Sequence, residues 1–321
     1  MEKYVTLEEY REMWKSLHEF LSHQPAGQPS VHSEVDGINL PLGMTTVLEA
    51  FRHFKVRQDD VWMVTFPKAG TTWAQEIISC VMYDGNLEEV KTKNTMFRVL
   101  FLEMNLPDPI RKAKNFPLIH EIAEEMPSPR VLKTHLPGPF LPPQLWEKKP
   151  KIVYVMRNPK DVVVSYFYFL KMMNPTPDSL NESFGEFFDR MLTGSAFYGP
   201  WWDHYLYFWE KRKEPNILLL RYEDMKRDLR GNVEKISRFL CKNLPAEKLD
   251  AITDYCTFAN MKKNPMTNQD YVFAQKDSPY LSMRKGIVGD WKTHFTVAQN
   301  EAMDALIKEK LHGTGLTFEY E

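Results

Sequence analysis

Lys133 and His135 stand two apart in R-V-L-K-T-H, residues 130–135. In an extended chain, residues i and i+2 share a face, so both side chains point the same way. Histidine is the natural general base near neutral pH. A neighbouring ammonium can hold an anion and biases the imidazole toward its neutral, basic form. An exposed strand end with two solvated side chains accounts equally well for the pair taken alone. A second group lies in V-W-M-V-T-F-P-K-A-G-T-T-W, residues 61–73. An apolar run there meets a tight Lys68-Ala69-Gly70 loop, and Thr71 or Thr72 is placed to cap the helix that follows. The first N–H groups of a helix and its dipole favour an anion, to which Lys68 adds a full charge. The loop is not a Walker cradle, because its lysine precedes the glycine. A plain strand-turn-helix corner with a surface lysine remains the other reading. Arg157 precedes a further helix start at Asn158-Pro159, with Ser165 two turns on, and Arg284-Lys285-Gly286 forms a third basic group. Each of these alone is explained by a corner or a solvated loop. Together they suggest a ligand carrying several phosphates, with Trp73 and Phe258 either sandwiching a base or sitting in the core.

The elements that must position these residues alternate. Apolar runs at 61–66, 130–135, 151–156 and 216–221 read as strands buried on both faces. Helical spacing is expected at 4–23, 46–54, 72–83, 97–104, 160–172, 183–192, 199–211, 233–240, 246–253 and 297–311. Residues 24–43 read as an extended arm, 263–290 as irregular, and the proline-bearing stretch 107–129 as the wall or lid of a pocket. This gives an α/β fold. Residues 41–321 form a single domain with a mainly parallel central sheet flanked by helices, and residues 1–40 supply an N-terminal helix and arm. Ligands of such sheets bind at the carboxyl ends of the strands, where Lys68, His135, Arg157 and Tyr222 fall.

With 321 residues, 43% of them hydrophobic, the chain can bury one large core. A formal net charge of -2 gives no general basic field for nucleic acid, so an anion site must be local. The three cysteines have no metal-ligand spacing and read as reduced thiols of a cytoplasmic protein. The polar, Glu-rich start is not expected to be a signal peptide, and no apolar run reaches the ~20 residues of a membrane span. The 13% aromatic content suits either core packing or a pocket for flat apolar molecules.

The motifs F-P-K-A-G-T-T-W (66–73), K-T-H-L-P (133–137), R-N-P-K-D-V-V-V-S-Y (157–166), Y-E-D-M-K (222–226), K-K-N-P-M-T-N (262–268) and R-K-G-I-V-G-D-W-K (284–292) occur in this order. Together they closely resemble the signatures of the cytosolic sulfotransferase family, from about residue 40 to the C-terminus. The resemblance implies 3′-phosphoadenosine 5′-phosphosulfate (PAPS) as donor, a P-loop-like phosphosulfate loop, no metal, and in-line sulfuryl transfer to a hydroxyl or amine. It further implies that Lys68, Ala69, Gly70, Thr71, Thr72 and Trp73 cradle the phosphosulfate. Arg157, Ser165, Arg284, Lys285 and Gly286 would hold the 3′-phosphate. Trp73, Tyr222, Cys256, Thr257, Phe258, Met261 and Met283 would surround the adenine. His135 would be the base, with Lys68, Lys133 and Ser165 also in the catalytic group. Ala69, Cys256 and Ser282 depart from the family's common Ser, Thr or Ser, and aromatic residue, which bears on donor affinity.

Lys292, Thr296, Val297 and Glu301 match the family's K-x-x-x-T-V-x-x-x-E dimer motif, although an ordinary helix start explains them too. For the acceptor, Pro67, Phe101, Met104, Lys133, His135, Phe169 and Tyr271 are candidate pocket residues, suiting a phenol more readily than a sugar. A steroid or alcohol sulfotransferase is the alternative within the family. Outside it stand a non-catalytic nucleotide-binding relative and a kinase-like NTPase, the latter lacking a Walker lysine and an evident pair of magnesium carboxylates.

Overall fold

The computed structural model describes residues 6–22, 32–41, 44, 48–105, 108–113, 115–173, 181–273 and 280–321. Five parallel strands form the central sheet: β3 (Val61–Thr65), β4 (Leu100–Phe101), β5 (Val131–Thr134), β6 (Lys151–Met156) and β7 (Ile217–Arg221), in the order β4-β5-β3-β6-β7. Every residue of β3 is buried. Its Trp62 and Val64 enter one apolar cluster, while Val61 and Met63 enter a second on the other face. That period-two split is what a strand covered by helices on both sides requires. Ile77, Ile78 and Val81 of the Thr71–Met82 helix fill the second cluster, and Tyr205 and Phe208 of the Trp201–Glu210 helix the first.

The chain leaves β3 toward β5 and β4 on one side and toward β6 and β7 on the other, which opens a crevice at the carboxyl end of β3. Register is pinned at the opposite end. Arg130 and Asp60 are both fully buried, and two hydrogen bonds of 2.7 and 2.6 Å join the guanidinium to the carboxylate. The main-chain N–H of Val61 donates to the Arg130 carbonyl at 2.8 Å. Such bidentate pairs fix geometry as well as contributing energy.

Three expectations change. Residues 97–104 do not form a helix. A helical turn, Thr95–Arg98, is followed by the short strand β4, because Leu100 and Phe101 pair with Leu132 and Lys133 of β5. The arm contains a hairpin, β1 (His32–Val35) with β2 (Ile38–Pro41), turned through Asp36 and Gly37 at φ of 49° and 77°. An Asp-Gly pair with two left-handed residues is a strong hairpin turn. The 107–129 stretch carries two short helices, Asp108–Ala113 and Ile119–Glu125. The N-terminal helix, Leu7–Ser22, packs on the first of these and on Asp270–Phe273, sending Tyr10, Met13 and Leu17 into the first core cluster. Among the described residues no helix is long and apolar enough to cross a membrane.

Candidate active site

A cavity of about 310 Å³ opens at the carboxyl ends of β3, β5, β6 and β7. Lys68 has φ of 65° and Gly70 of 111°, so the loop after β3 curls through left-handed conformations and turns its backbone toward the cavity. A Cβ on Gly70 would lie 3.0 Å from the Tyr222 ring, so this position takes only glycine without strain. Gly70 itself caps the helix, so neither threonine does; Thr71 is already helical, and its hydroxyl lies 2.8 Å from that of Thr65. Lys68, Gly70, Thr71, Thr72 and Trp73 all line the cavity, whereas Ala69 is buried behind them.

Arg157 enters from the end of β6. Its guanidinium donates to the Ile287 carbonyl at 2.8 Å and to Asp161, and it stacks 4.1 Å from the Tyr222 ring centroid. Its Nε is buried and has no hydrogen-bond partner among the described residues. Such an orphan donor beside a cavity marks a place for an acceptor oxygen. Arg284 and Gly286 line the same end. Arg284 and Lys285 both pair with the carboxylate of Asp290, and Lys285 does not reach the cavity wall. Gly286 passes so close to Phe258 that a Cβ would lie 2.3 Å from the ring.

Trp73, Tyr222, Phe258, Met261 and Met283 form the apolar wall there. The Trp73 and Tyr222 rings meet edge to face at 5.4 Å, and the Trp73 indole donates to the Cys256 carbonyl at 2.8 Å. The Cys256 side chain points inward against Cys80, and the Thr257 hydroxyl caps the Phe258–Lys263 helix. Neither side chain lines the cavity, and Ser165 does not line it either.

The other end of the cavity holds Lys133, His135, Pro67, Phe101, Met104 and Phe169. Tyr271 belongs to a short helix, but its side chain lies outside the described residues. The Nδ1–H of His135 donates to the Thr65 carbonyl at 2.6 Å, which leaves Nε2 with its lone pair. Burial, and next the charge of Lys133, hold the imidazole well below its usual range, so it is neutral at pH 7. Lys133 is pushed down to about 8 by burial, against the pull of Glu103, and sits 4.2 Å over the Phe101 ring. Lys68 is pushed down to about 7 by burial and by Arg157, with Lys133 and Arg284 adding to this and Asp270 opposing.

Several wall residues were not singled out from the sequence. Trp14 and Leu17 come from the N-terminal helix, and Trp14 meets Phe273 edge to face at 5.0 Å. Glu103 follows β4 by two residues, so the period-two spacing that paired Lys133 with His135 could have singled it out beside Phe101. Tyr198 lines the cavity at φ of 70°, a left-handed conformation that costs a non-glycine residue about 1–3 kcal/mol. Among the described residues no cluster of three or more His, Cys, Asp or Glu side chains could hold a metal ion.

A left-handed phosphate loop on a helix start, three more basic residues and a neutral histidine around one cavity define an α/β enzyme of group transfer from an anionic nucleotide. The sequence profile of the sulfotransferase domain matches residues 58–315. Sulfotransferase 1C2 of Rattus norvegicus is 40% identical over 289 residues, covering 89% of this chain and 94% of its own. Sulfotransferase 1E1 of Bos taurus is 42% identical over 269 residues, covering 83% and 88%. Among solved structures, the mouse sulfotransferase SULT7A1 complexed with PAP aligns with a TM-score of 0.70 at 28% identity, covering 89% of this chain and 97% of that one. A retinol dehydratase in complex with androsterone and inactive cofactor PAP shares the fold, with a TM-score of 0.81 at 24% identity over 95% and 96%. The chain belongs to the sulfotransferase family and is a PAPS-dependent sulfotransferase acting on small molecules.

Proposed function

We propose that this enzyme sulfates a largely apolar acceptor, a phenol before a steroid or aliphatic alcohol, with His135 as general base. The observation that carries the reading is the cluster of Lys68, Lys133, Arg157 and Arg284 about one cavity, with a buried Arg157 Nε lacking a partner among the described residues. The site fits a ligand of high negative charge. Lys68, Gly70, Thr71, Thr72 and Trp73 would hold the phosphosulfate, and Arg157, Arg284 and Gly286 the 3′-phosphate. Tyr222, Phe258, Met261 and Met283 would enclose the base with Trp73. Ser165, Lys285, Cys256 and Thr257 are weaker ligands on this reading, because their side chains lie off the wall. Ala69 has only its main chain to offer.

When bound, PAPS would supply a sulfuryl group on a phosphate–sulfate mixed anhydride, with the 5′-phosphate as leaving group. His135 Nε2 takes the acceptor proton, since Nδ1 is committed to Thr65. Lys68 would supply a proton donor where negative charge grows on the leaving oxygen, and Lys133 would stabilise the sulfuryl oxygens. A base held well below 6.5 is poorly matched to an aliphatic alcohol. It suits a phenolic hydroxyl, with its pKa of about 10, far better. Phe101, Met104 and Phe169, with Trp14 from the N-terminal helix, offer flat apolar walls for the ring.

The exposed Lys292, Thr296, Val297 and Glu301 form a homodimer contact in this proposal; Val297 is 75% exposed. The three free thiols suit a cytoplasmic enzyme, and finding a tagged chain in a secreted or membrane fraction would count against that placement.

The test is transfer of labelled sulfate from PAPS to a panel of phenols, steroids, aliphatic alcohols and amines by wild type and His135→Asn. Phenols should be turned over fastest, and the variant should lose about 10²- to 10⁴-fold in kcat while still binding PAP. An active His135→Asn would remove the base assignment, and a preference for alcohols would remove the acceptor assignment.

A further inference from the structure

His135 is held from several sides. Its main-chain carbonyl accepts from His204 Nε2 at 3.1 Å, while His204 Nδ1 accepts from the Tyr154 hydroxyl at 2.7 Å. Its Nδ1–H is fixed on Thr65, and its ring lies between Phe101 at 5.0 Å and Tyr198 at 5.5 Å, both edge to face. The remaining restraint is Glu103. Both carboxylate oxygens accept the main-chain N–H of His135 at 3.0 Å. The hydroxyls of Thr134 and Tyr198 face the same carboxyl group and favour its ionised form. Glu103 is 6% exposed and lines the cavity. A buried carboxylate is costly unless something needs its charge. Here the charged neighbours on the base's own strand are cationic or become so, Lys133 first and His135 itself once it accepts a proton.

We propose that Glu103 is a positioning residue for the transfer reaction. As a carboxylate it locks the His135 main chain in place, and it offsets the positive charge that His135 gains with the acceptor's proton. The inference rests on His135 being the base. The groups facing Glu103 are Lys133, Thr134 and His135 from β5 and Tyr198 from the segment before the Trp201–Glu210 helix. Burial outweighs their pull and raises the carboxyl to about 7. A protonated Glu103 loses that charge and holds the His135 main chain less firmly, so the reaction should switch on as pH rises through this value. The imidazole's own range lies well below 6.5, so its titration falls at lower pH.

The experiment is the pH profile, from 5.5 to 9, of kcat/KM for a phenol at saturating PAPS, with PAP affinity measured alongside. Wild type should show an acid limb near or somewhat above 7. Glu103→Gln should be about 10- to 100-fold slower at pH 8, the loss of one charged hydrogen bond, and should lack that limb while binding PAP normally. Glu103→Asp should recover part of the rate and keep the limb. Tyr198→Phe removes a hydroxyl that favours the carboxylate and should move the limb to higher pH, which keeps the inference testable if Glu103→Gln fails to fold. A wild-type rate or an unchanged limb in Glu103→Gln would overturn the inference, as would an unmoved limb in Tyr198→Phe. Normal Glu103→Gln beside an inactive His135→Asn sinks this inference alone, whereas an active His135→Asn sinks the assignment beneath it.

Discussion

Binding of PAP should draw protons from solution, and Lys68 should supply most of the demand. Buried beside Arg157, Lys133 and Arg284, the Lys68 amine titrates at about 7. At pH 8 it is therefore about nine-tenths neutral before binding. Lys133, at about 8, is then half neutral. An anion between them restores both ammonium forms, so binding at pH 8 should take up about one and a half protons. Returning Lys68 from about 7 to its ordinary 10.5 is worth roughly 5 kcal/mol at most. The affinity should fall about tenfold per pH unit above 7, and more steeply once Lys133 joins. Calorimetry in buffers of differing ionisation enthalpy counts the protons, and at pH 8 the phosphates of PAP are already ionised. Lys68→Met should lower the uptake by about 0.9 proton, the neutral fraction of Lys68 at that pH. Zero net uptake at pH 8, or an unchanged count in the variant, would refute the reasoning. The same residue makes a prediction for stability. The unfolded chain keeps this proton to 10.5 and the folded chain sheds it near 7, so between those values the unfolded form holds more protons and stability rises with pH. Lys68→Met should accordingly raise Tm most below pH 7, with the gain fading toward pH 10.

Gly286→Ala puts a Cβ against Phe258 at a φ of 65°. The left-handed backbone alone costs the fold about 1–2 kcal/mol, so Tm should fall by a few degrees, and displacement of Phe258 should lower PAP affinity measured by calorimetry. Val297→Glu should leave activity intact and convert the dimer to monomer in sedimentation; an already monomeric wild type would dispose of the proposed contact.

Four of the five strands of the central sheet were legible because each is a short apolar run ended by a polar or proline residue, and β6 matches its expected 151–156 span residue for residue. The basic corners were legible because parallel strands deliver their carboxyl ends to one edge. Residues 97–104 misled because their apolar spacing also suits a helix, and only pairing with β5 decides otherwise. The hairpin at Asp36-Gly37 was written in the sequence and needed only the turn rule. Cys256 and Thr257 show a different limit. Family motifs place positions near a ligand, yet a main-chain carbonyl on Trp73 and a helix cap set where these side chains point. Glu103, Tyr198 and Trp14 reach the cavity from distant segments, so no local spacing could bring all three together.

Asp290 gives the basic loop an anion of its own. A phosphate that recruits Arg284 or Lys285 must first win it from that carboxylate, which already engages both. On the proposed assignment the nucleotide meets a resident rival, and its net grip is what remains after the Asp290 pairs are given up. Asp290 would then reclaim both side chains as spent nucleotide leaves, which lowers the cost of release.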